Sequence, residues 1–120
     1  MRHRPKGTVM QVAHVVRDLD RAMAHWTRTF GAGPFYVADF KLDGQMYRGK
    51  PAPFDATIAI GYLGGTNIEL VHSNNADPSV FNEVLLTRGE GLHHYWLATE
   101  DLEAEMAAYA AAGCPTIAYS

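Results

Sequence analysis

Apolar residues form short continuous runs in some parts of this chain and recur at steps of three or four in others. The first pattern predicts strands and the second predicts helices. The β-branched and apolar residues from 8 to 16 predict a buried strand. Asp18 is the expected N-cap of the next element, because its carboxylate can accept the free backbone N–H groups of a first helical turn. Gly31 is expected to end that helix. Its apolar face recurs at steps of three or four and consists of Leu19, Met23, Trp26 and Phe30.

Short apolar runs occupy the middle of the chain. Residues 34–40 predict a second strand, and residues 41–55 predict a long loop, because glycines and prolines interrupt any regular element there. Residues 57–63 and 66–71 predict two further strands. They are joined through Gly64-Gly65, and a Gly-Gly pair tolerates the positive φ of a tight hairpin turn.

The remaining third of the chain starts the pattern again. Residues 77–88 predict a short linker helix with Asp77 at its N-cap. Residues 93–98 predict a strand, residues 102–112 predict a helix, and residues 115–119 predict the start of another strand. The order strand, helix, strand is that of the beginning of the chain.

This similarity extends to individual positions at one constant offset. Asp18 aligns with Asp101 and Met23 aligns with Met106, without any gap. An internal repeat of this kind predicts two copies of one supersecondary unit. The first copy has the order βαβββ, and the second copy has only the beginning of it.

We therefore predict an α+β fold of paired βαβββ modules in which the second module is incomplete. The expected organisation is a single domain over residues 1–120, with module one at about 8–72, the linker helix at about 77–88 and module two at about 91–120. We expect the chain to be a fragment or to lack its C-terminal part, because unpaired strand edges are a liability.

Composition narrows the class of protein. With 120 residues and 48% hydrophobic residues, the chain can form one domain with a core. The formal net charge of −3 argues against a nucleic-acid partner, which requires a clustered basic face. The single cysteine excludes an internal disulfide, and the chain shows neither a secretory signal nor an apolar run of membrane length. We expect a cytoplasmic protein with no membrane partner.

Three side chains are the candidate metal ligands. Gln11 and His94 occupy equivalent positions of the repeat, so both are expected to project into one cleft between the modules. Glu69 lies between two apolar residues, and a carboxylate among buried neighbours is costly unless it is paired or bound to a cation. Together they offer two oxygens and one imidazole, which suits Mn²⁺, Fe²⁺, Co²⁺, Ni²⁺ or Zn²⁺.

Trp96 has two interpretations, whereas two histidines near these ligands are expected to be structural. Trp96 shares the parity of His94 in its strand and is either a substrate-binding wall of the cleft or part of the core. His93 alternates with His94, so we expect it to face the opposite side, toward a helix, as a structural histidine. His14 has the opposite parity to Gln11 and is also expected to be structural.

The repeat and its motifs resemble the vicinal oxygen chelate superfamily, which includes glyoxalase I, methylmalonyl-CoA epimerase, extradiol dioxygenases and bleomycin-resistance proteins. The similarity extends from about residue 9 to residue 113. The stretches that resemble the first-module opening, the fourth strand and the second-module opening are Arg17-Asp18-Leu19-Asp20, Thr66-Asn67-Ile68-Glu69-Leu70-Val71, and Gly91-Leu92-His93-His94 followed by Glu100-Asp101-Leu102.

The resemblance implies a function as well as a fold. It implies Gln11, Glu69 and His94 as ligands, with a fourth ligand on the last strand of module two. It implies a metal-dependent isomerase, epimerase, lyase or dioxygenase acting on a small oxygen-rich substrate, with Glu69 as ligand or base, and a homodimer. The alternative is a metal-free protein that sequesters a small molecule, as bleomycin-resistance proteins do. The family usually has histidine where this chain has Gln11, which favours the alternative. A third interpretation is an inactive fragment that completes its sheets by dimerising.

Overall fold

The computed structural model describes residues 9–119 and confirms an α+β fold. Residue 8, where the first strand was expected to begin, lies outside the described residues. The strands are β1 (Val9–Val15), β2 (Tyr36–Leu42), β3 (Met46–Tyr47), β4 (Lys50–Pro51), β5 (Phe54–Leu63), β6 (Thr66–Ser73), β7 (Gly91–Leu97) and β8 (Ala118–Tyr119), and the helices are α1 (Leu19–Phe30), α2 (Val80–Thr87) and α3 (Leu102–Ala111).

Five strands form the main sheet in the order β2-β5-β6-β1-β7. β6 returns beside β1 and runs parallel to it, while the other neighbouring strands are antiparallel. The predicted hairpin is confirmed, with Leu63 opposite Thr66 across the Gly64-Gly65 turn. β7, which opens the second copy of the repeat, lies on the free edge of β1. The two copies therefore meet at the β1–β7 pair.

The register of this pair follows the repeat in the sequence. Gln11 lies opposite Trp96, and Ala13 lies opposite His94. In the repeat, Gln11 is the equivalent of His94, and Ala13 is the equivalent of Trp96. A twofold axis that relates the two copies therefore maps the Gln11–Trp96 pair onto the His94–Ala13 pair. Directly opposite residues of a sheet share a face, so all four side chains project toward the same side.

Helix α1 covers the other face of the main sheet. Asp18 caps it as predicted, accepting a hydrogen bond of 3.0 Å from the backbone N–H of Arg21. Gly31 ends it with φ +73°, a left-handed conformation that costs a glycine little. The buried residues of this core are Val16, Ala59, Ile68 and Leu70, and the α1 side chains packed on them are Leu19, Ala22, Met23 and Trp26.

Helix α2 covers only one end of the face that carries Gln11 and His94. Phe81 is the buried anchor of this helix and packs with Phe54 at a ring-centroid separation of 5.3 Å. The sheet residues in the same core cluster are Val15, Ala56, Ile58 and Val71. Within residues 9–119, no helix packs on the other end of this face.

The predicted start of α2 is wrong by two residues. Ser79, not Asp77, is the N-cap, and its hydroxyl accepts a 3.1 Å hydrogen bond from the backbone N–H of Asn82. The amide of Asn82 donates to the carbonyl of Asp77 at 2.7 Å. This bond holds Asp77 in the preceding turn, so its side chain does not cap the helix.

The prediction of a loop without regular structure over residues 41–55 is also wrong. β3 and β4 form a small hairpin there, and β8 pairs with β3 instead of extending the main sheet. Arg48 stabilises this hairpin, because its guanidinium is 2.7 Å from Glu83 of α2 and its backbone N–H donates to the carbonyl of Ile117 at 2.6 Å. These contacts join residues far apart in the chain, which local composition does not reveal.

Helix α3 has the predicted N-cap but no face that packs on the described part of the chain. Asp101 accepts a 3.0 Å hydrogen bond from the backbone N–H of Ala104. Leu102, Met106 and Tyr109 are 65%, 37% and 45% exposed, and α3 buries no residue against the described part of the chain. Within residues 9–119, no helix is both long enough and apolar enough to cross a membrane.

His14, on the α1 face, should make the fold less stable in acid. Its Nδ1 is buried without a hydrogen-bond partner among the described residues, and its ring packs edge-on to Trp26 at 5.0 Å. Burial lowers the pKa of His14 from its usual 6.5. The native state therefore holds it neutral while the unfolded chain binds a proton, so the free energy of unfolding falls as pH drops below about 6.5. The charged and titratable groups that line the same groove of about 780 Å³ are Arg17, Asp18, Arg21, His25 and Glu90.

Urea unfolding at about pH 7.5 and about pH 5.5 tests this expectation. His14→Phe should lose less stability between the two pH values than the wild-type protein does. His25→Asn is the matched control, because His25 is exposed and lines the same groove. An equal loss in the wild-type and His14→Phe proteins would contradict the assignment.

Candidate functional site

Two of the predicted ligands meet across a single small residue. Ala13 of β1 lies between Glu69 of β6 and His94 of β7 in the register of the sheet. The three side chains share one face, and Ala13 is fully buried. Because the methyl group of Ala13 leaves room above it, the flanking side chains approach each other. Glu69 Oε1 lies 3.8 Å from His94 Nε2.

This pair is neither an ion pair nor a hydrogen bond at neutral pH. Burial raises the pKa of Glu69, whose side chain is 13% exposed. Burial, with a smaller contribution from neighbouring His93, lowers the pKa of His94 to about 4, so its imidazole is neutral. The 3.8 Å separation also exceeds hydrogen-bonding distance. A carboxylate oxygen and a neutral imidazole nitrogen therefore face each other across a gap.

The gap is compatible with a divalent cation. Two ligands at about 2.1 Å from one ion are about 3 Å apart at right angles and about 4 Å apart when opposite, and the observed 3.8 Å lies between these limits. Carboxylate and imidazole suit the first-row metals expected from the sequence. Within residues 9–119, no three His, Cys, Asp or Glu side chains are grouped closely enough to hold an ion. Among these described residues, a third donor near the pair is therefore of another type, such as an amide oxygen.

Gln11 offers such a donor on the same face. It is 8% exposed and lies two residues from Ala13 along β1, or about 7 Å. Its Nε2 donates a 2.8 Å hydrogen bond to Oδ1 of Asn67, the residue opposite it on β6. This bond orients the Gln11 amide and, among the described residues, leaves Oε1 as the atom with free acceptor capacity. Sequence reasoning missed Asn67, because only the β1–β6 register shows that it faces Gln11.

An exposed aromatic group lies beside Gln11. Trp96 is directly opposite Gln11 and is 56% exposed, so it is not part of the core. Tyr62 pairs with Asn67 on the other side and is also 56% exposed. These side chains flank the amide pair at the open end of the face. A substrate contact by Trp96 stays a prediction.

His93 shares the face of His94, and the predicted opposite orientation is wrong. The β1–β7 register shifts between Ala13 and His14, which leaves His93 without a partner on β1. A bulge of this kind inserts one residue and breaks the alternation of side chains. The predicted contact with a helix does exist, because the His93 ring packs on Phe81 of α2 at 4.7 Å. No residue type in this strand signals the bulge.

Comparison with known proteins agrees with this architecture. Residues 10–119 match the profile of the glyoxalase/bleomycin resistance protein/dioxygenase superfamily. The chain belongs to this superfamily. The match covers most of the chain and confirms the resemblance to vicinal oxygen chelate proteins. A search of curated proteins finds no match.

Members of this superfamily are also among the similar solved structures. Methylmalonyl-CoA epimerase from Mycobacterium tuberculosis is 19% identical with a TM-score of 0.58, and the match covers 88% of this chain but only 63% of that one. A variant of the Streptomyces coelicolor epimerase in complex with 2-nitronate-propionyl-CoA is 19% identical with a TM-score of 0.60, over 88% and 71%. Hypothetical protein BH1468 from Bacillus halodurans C-125 is 16% identical with a TM-score of 0.61, over 88% and 68%. At these identities the likeness is one of fold.

Proposed function

We propose that this glyoxalase-like protein is a metal-dependent isomerase, epimerase or lyase that acts on a small oxygen-rich substrate. The observation that carries the proposal is the 3.8 Å gap between Glu69 Oε1 and His94 Nε2 over the methyl group of Ala13. A partly buried carboxylate facing a neutral imidazole without a hydrogen bond is costly unless something lies between them. A divalent cation satisfies both groups.

The residues of this face have distinct roles in the proposal. His94 Nε2, Glu69 Oε1 and Gln11 Oε1 would hold one ion of Mn, Fe, Co, Ni or Zn. When bound, such an ion acts as a Lewis acid that polarises a substrate oxygen. His94 is already neutral near pH 7, so it needs no deprotonation before it binds a metal.

Glu69 has two alternative roles in this scheme. As a ligand, it contributes the only carboxylate of the set. As a general base, it removes a proton next to a carbonyl group of the substrate, and burial favours this role because it raises the pKa of Glu69 toward the range useful for proton transfer. The comparison of Glu69 variants described in the Discussion distinguishes the two roles.

The exposed aromatic side chains complete the proposed substrate site. Trp96 and Tyr62 flank the Gln11–Asn67 amide pair, and Tyr36 continues the same face beside Ile60. Flat or apolar parts of a ligand can pack on these rings while its oxygens point toward Glu69 and His94. We propose Trp96 as a substrate-binding residue on this basis.

One observation favours a second candidate, a metal-free protein that binds or sequesters a small molecule. The Gln11 amide is already oriented by Asn67 and lies between two exposed aromatic rings. Amide groups beside aromatic surfaces are the usual elements of a pocket for an organic ligand. In this alternative Gln11 hydrogen-bonds the ligand and no ion is needed.

We further propose that the chain acts as one glyoxalase-like domain with module one up to residue 72, linker helix α2 and module two from residue 91. A homodimer and a cytoplasmic location stay predictions. The unpaired outer edge of β7 and the exposed apolar face of α3 within the described residues support self-association. Light scattering after size exclusion measures the oligomeric state.

Metal titration of chelator-treated wild-type protein tests the principal proposal. We expect one equivalent of Mn²⁺, Co²⁺, Ni²⁺ or Zn²⁺ to bind per chain by calorimetry, whereas Mg²⁺ and Ca²⁺ bind weakly because imidazole suits them poorly.

Metal binding should also stabilise the fold. At a free concentration of about 100 times its dissociation constant, the ion adds about 2.7 kcal/mol to the free energy of unfolding. This gain corresponds to a rise of about 10 °C in the midpoint of thermal unfolding. Binding of none of these transition-metal ions, with Fe²⁺ included under anaerobic conditions, would contradict the metal-dependent function.

A further inference from the structure

We infer that His93 is a positioning residue that selects the tautomer of His94, so that the bare Nε2 of His94 faces Glu69. The inference rests on the proposed function, because it concerns the nitrogen that His94 presents at that site. It assigns a role to the β-bulge, which brings His93 onto the face of His94. Bulges often re-aim one side chain at a functional site.

The first step is the contact between His93 and helix α2. His93 Nε2 lies 2.8 Å from the carbonyl oxygen of Val80. A carbonyl oxygen can only accept a hydrogen bond, so His93 Nε2 carries the proton. The ring also packs against Phe81 of α2, with a ring-centroid separation of 4.7 Å. In a neutral imidazole the other nitrogen is then bare, and His93 Nδ1 is an acceptor.

The second step is the contact between the two imidazoles. His93 Nδ1 lies 2.6 Å from His94 Nδ1, and their ring planes are nearly perpendicular at 83°. Two bare nitrogens repel each other at this distance, so one proton lies between them. Since His93 Nδ1 is bare, the proton belongs to His94 Nδ1. His94 Nε2 is therefore unprotonated.

The geometry of this pair also opposes the other proton placements. Protons on both Nδ1 atoms would bring two N–H groups together at 2.6 Å, so only one of the two facing nitrogens carries a proton. The reverse tautomer of His94 would leave two lone pairs in contact at Nδ1 and would direct an N–H toward Glu69. That N–H could form a hydrogen bond to the carboxylate but could not bind a metal or accept a proton.

The backbone carbonyl of Val80 thus fixes the tautomer of His93. His93 in turn fixes the tautomer of His94, and hence the nitrogen that His94 directs toward Glu69. Outer partners of this kind commonly fix the ring and tautomer of a metal-binding histidine. His93 contributes no atom to the gap itself. Its expected contribution is to the metal affinity of His94, about 10- to 100-fold.

Long-range ¹H–¹⁵N NMR of histidine-labelled, metal-free protein near pH 7 tests the assignment without any variant. We expect His94 to show a protonated Nδ1 and a bare Nε2, and His93 to show the reverse. A protonated Nε2 on His94 would overturn the inference.

Three variants test whether His93 selects that tautomer. His93→Phe retains a ring beside Phe81 but removes both nitrogens, so His94 should become a mixture of tautomers and the Co²⁺ affinity should fall about 10- to 100-fold. His93→Gln keeps a hydrogen-bond donor and an acceptor, so it should keep much of the wild-type tautomer preference of His94 and much of the Co²⁺ affinity. His72→Phe is the matched control, because His72 is also partly buried and bonded to a backbone carbonyl, that of Val16, but strand alternation places it on the opposite face of β6 from Glu69.

The outcomes separate this inference from the proposed function. If the wild-type protein binds no metal but shows the expected tautomers, which His93→Phe alone disturbs, the tautomer selection stands and the metal function fails. If the wild-type protein binds metal and His93→Phe changes neither the tautomer nor the affinity, the inference fails and the function stands.

Discussion

Replacing His94 with alanine is expected to lower the affinity for Mn²⁺ or Co²⁺ by more than the roughly 10- to 100-fold that the loss of an outer partner costs. His94 is the only imidazole that directs a nitrogen toward Glu69 among the described residues, at 3.8 Å. Without it, the remaining donors are oxygens, which hold transition metals less well than an imidazole does. Calorimetric titration of both proteins measures the change.

Two variants make this comparison specific. His25→Ala removes an exposed imidazole on the α1 side and should bind metal as the wild-type protein does. Glu69→Gln keeps the shape of the side chain but removes its charge. If Glu69 is a ligand, Glu69→Gln loses affinity together with His94→Ala; if it is only a base, the variant binds metal but loses turnover on any substrate that is found. Wild-type affinity in His94→Ala would contradict the ligand assignment.

Replacing Ala13 with leucine is expected to abolish metal binding and to lower the free energy of unfolding by about 1–3 kcal/mol. Ala13 is fully buried and lies in register between Glu69 and His94. A leucine side chain there occupies the space in which the carboxylate and the imidazole approach each other. The added volume also strains the surrounding packing, because a close-packed interior has little room to adjust.

Ala59→Leu is the matched control for this substitution. Ala59 is equally buried, but it belongs to the core beneath α1 on the other face of the sheet. We expect a similar loss of stability in urea unfolding and unchanged metal binding at temperatures where the protein is folded. If Ala13→Leu binds metal as well as Ala59→Leu does, the gap over Ala13 is not the metal site.

Several elements could be predicted from residues that lie close together in the sequence. Helix α1 is one example, because its N-cap Asp18 and its terminating Gly31 act on backbone groups within one turn. The Gly64-Gly65 hairpin is another, since the turn sets the register of both strands. The repeat also indicated the equivalence of Gln11 and His94, which the β1–β7 register confirms. In each case the determining interactions lie within a few residues or within an aligned pair of segments.

The detailed candidate site depended on contacts that no local pattern contains. The bulge at His93, the Asn67 partner of Gln11 and the position of Ala13 between Glu69 and His94 all follow from how β6, β1 and β7 are aligned. The β3–β4 hairpin likewise depends on Arg48 reaching Glu83 of α2. Side-chain alternation predicts the face of a residue, but a one-residue shift in register changes which residues meet. Hydrophobic period, capping and turn residues therefore sufficed for α1 and the β5–β6 hairpin, whereas the three-dimensional pairing of distant segments was needed to form β3 and β4 and to bring the proposed chemistry together.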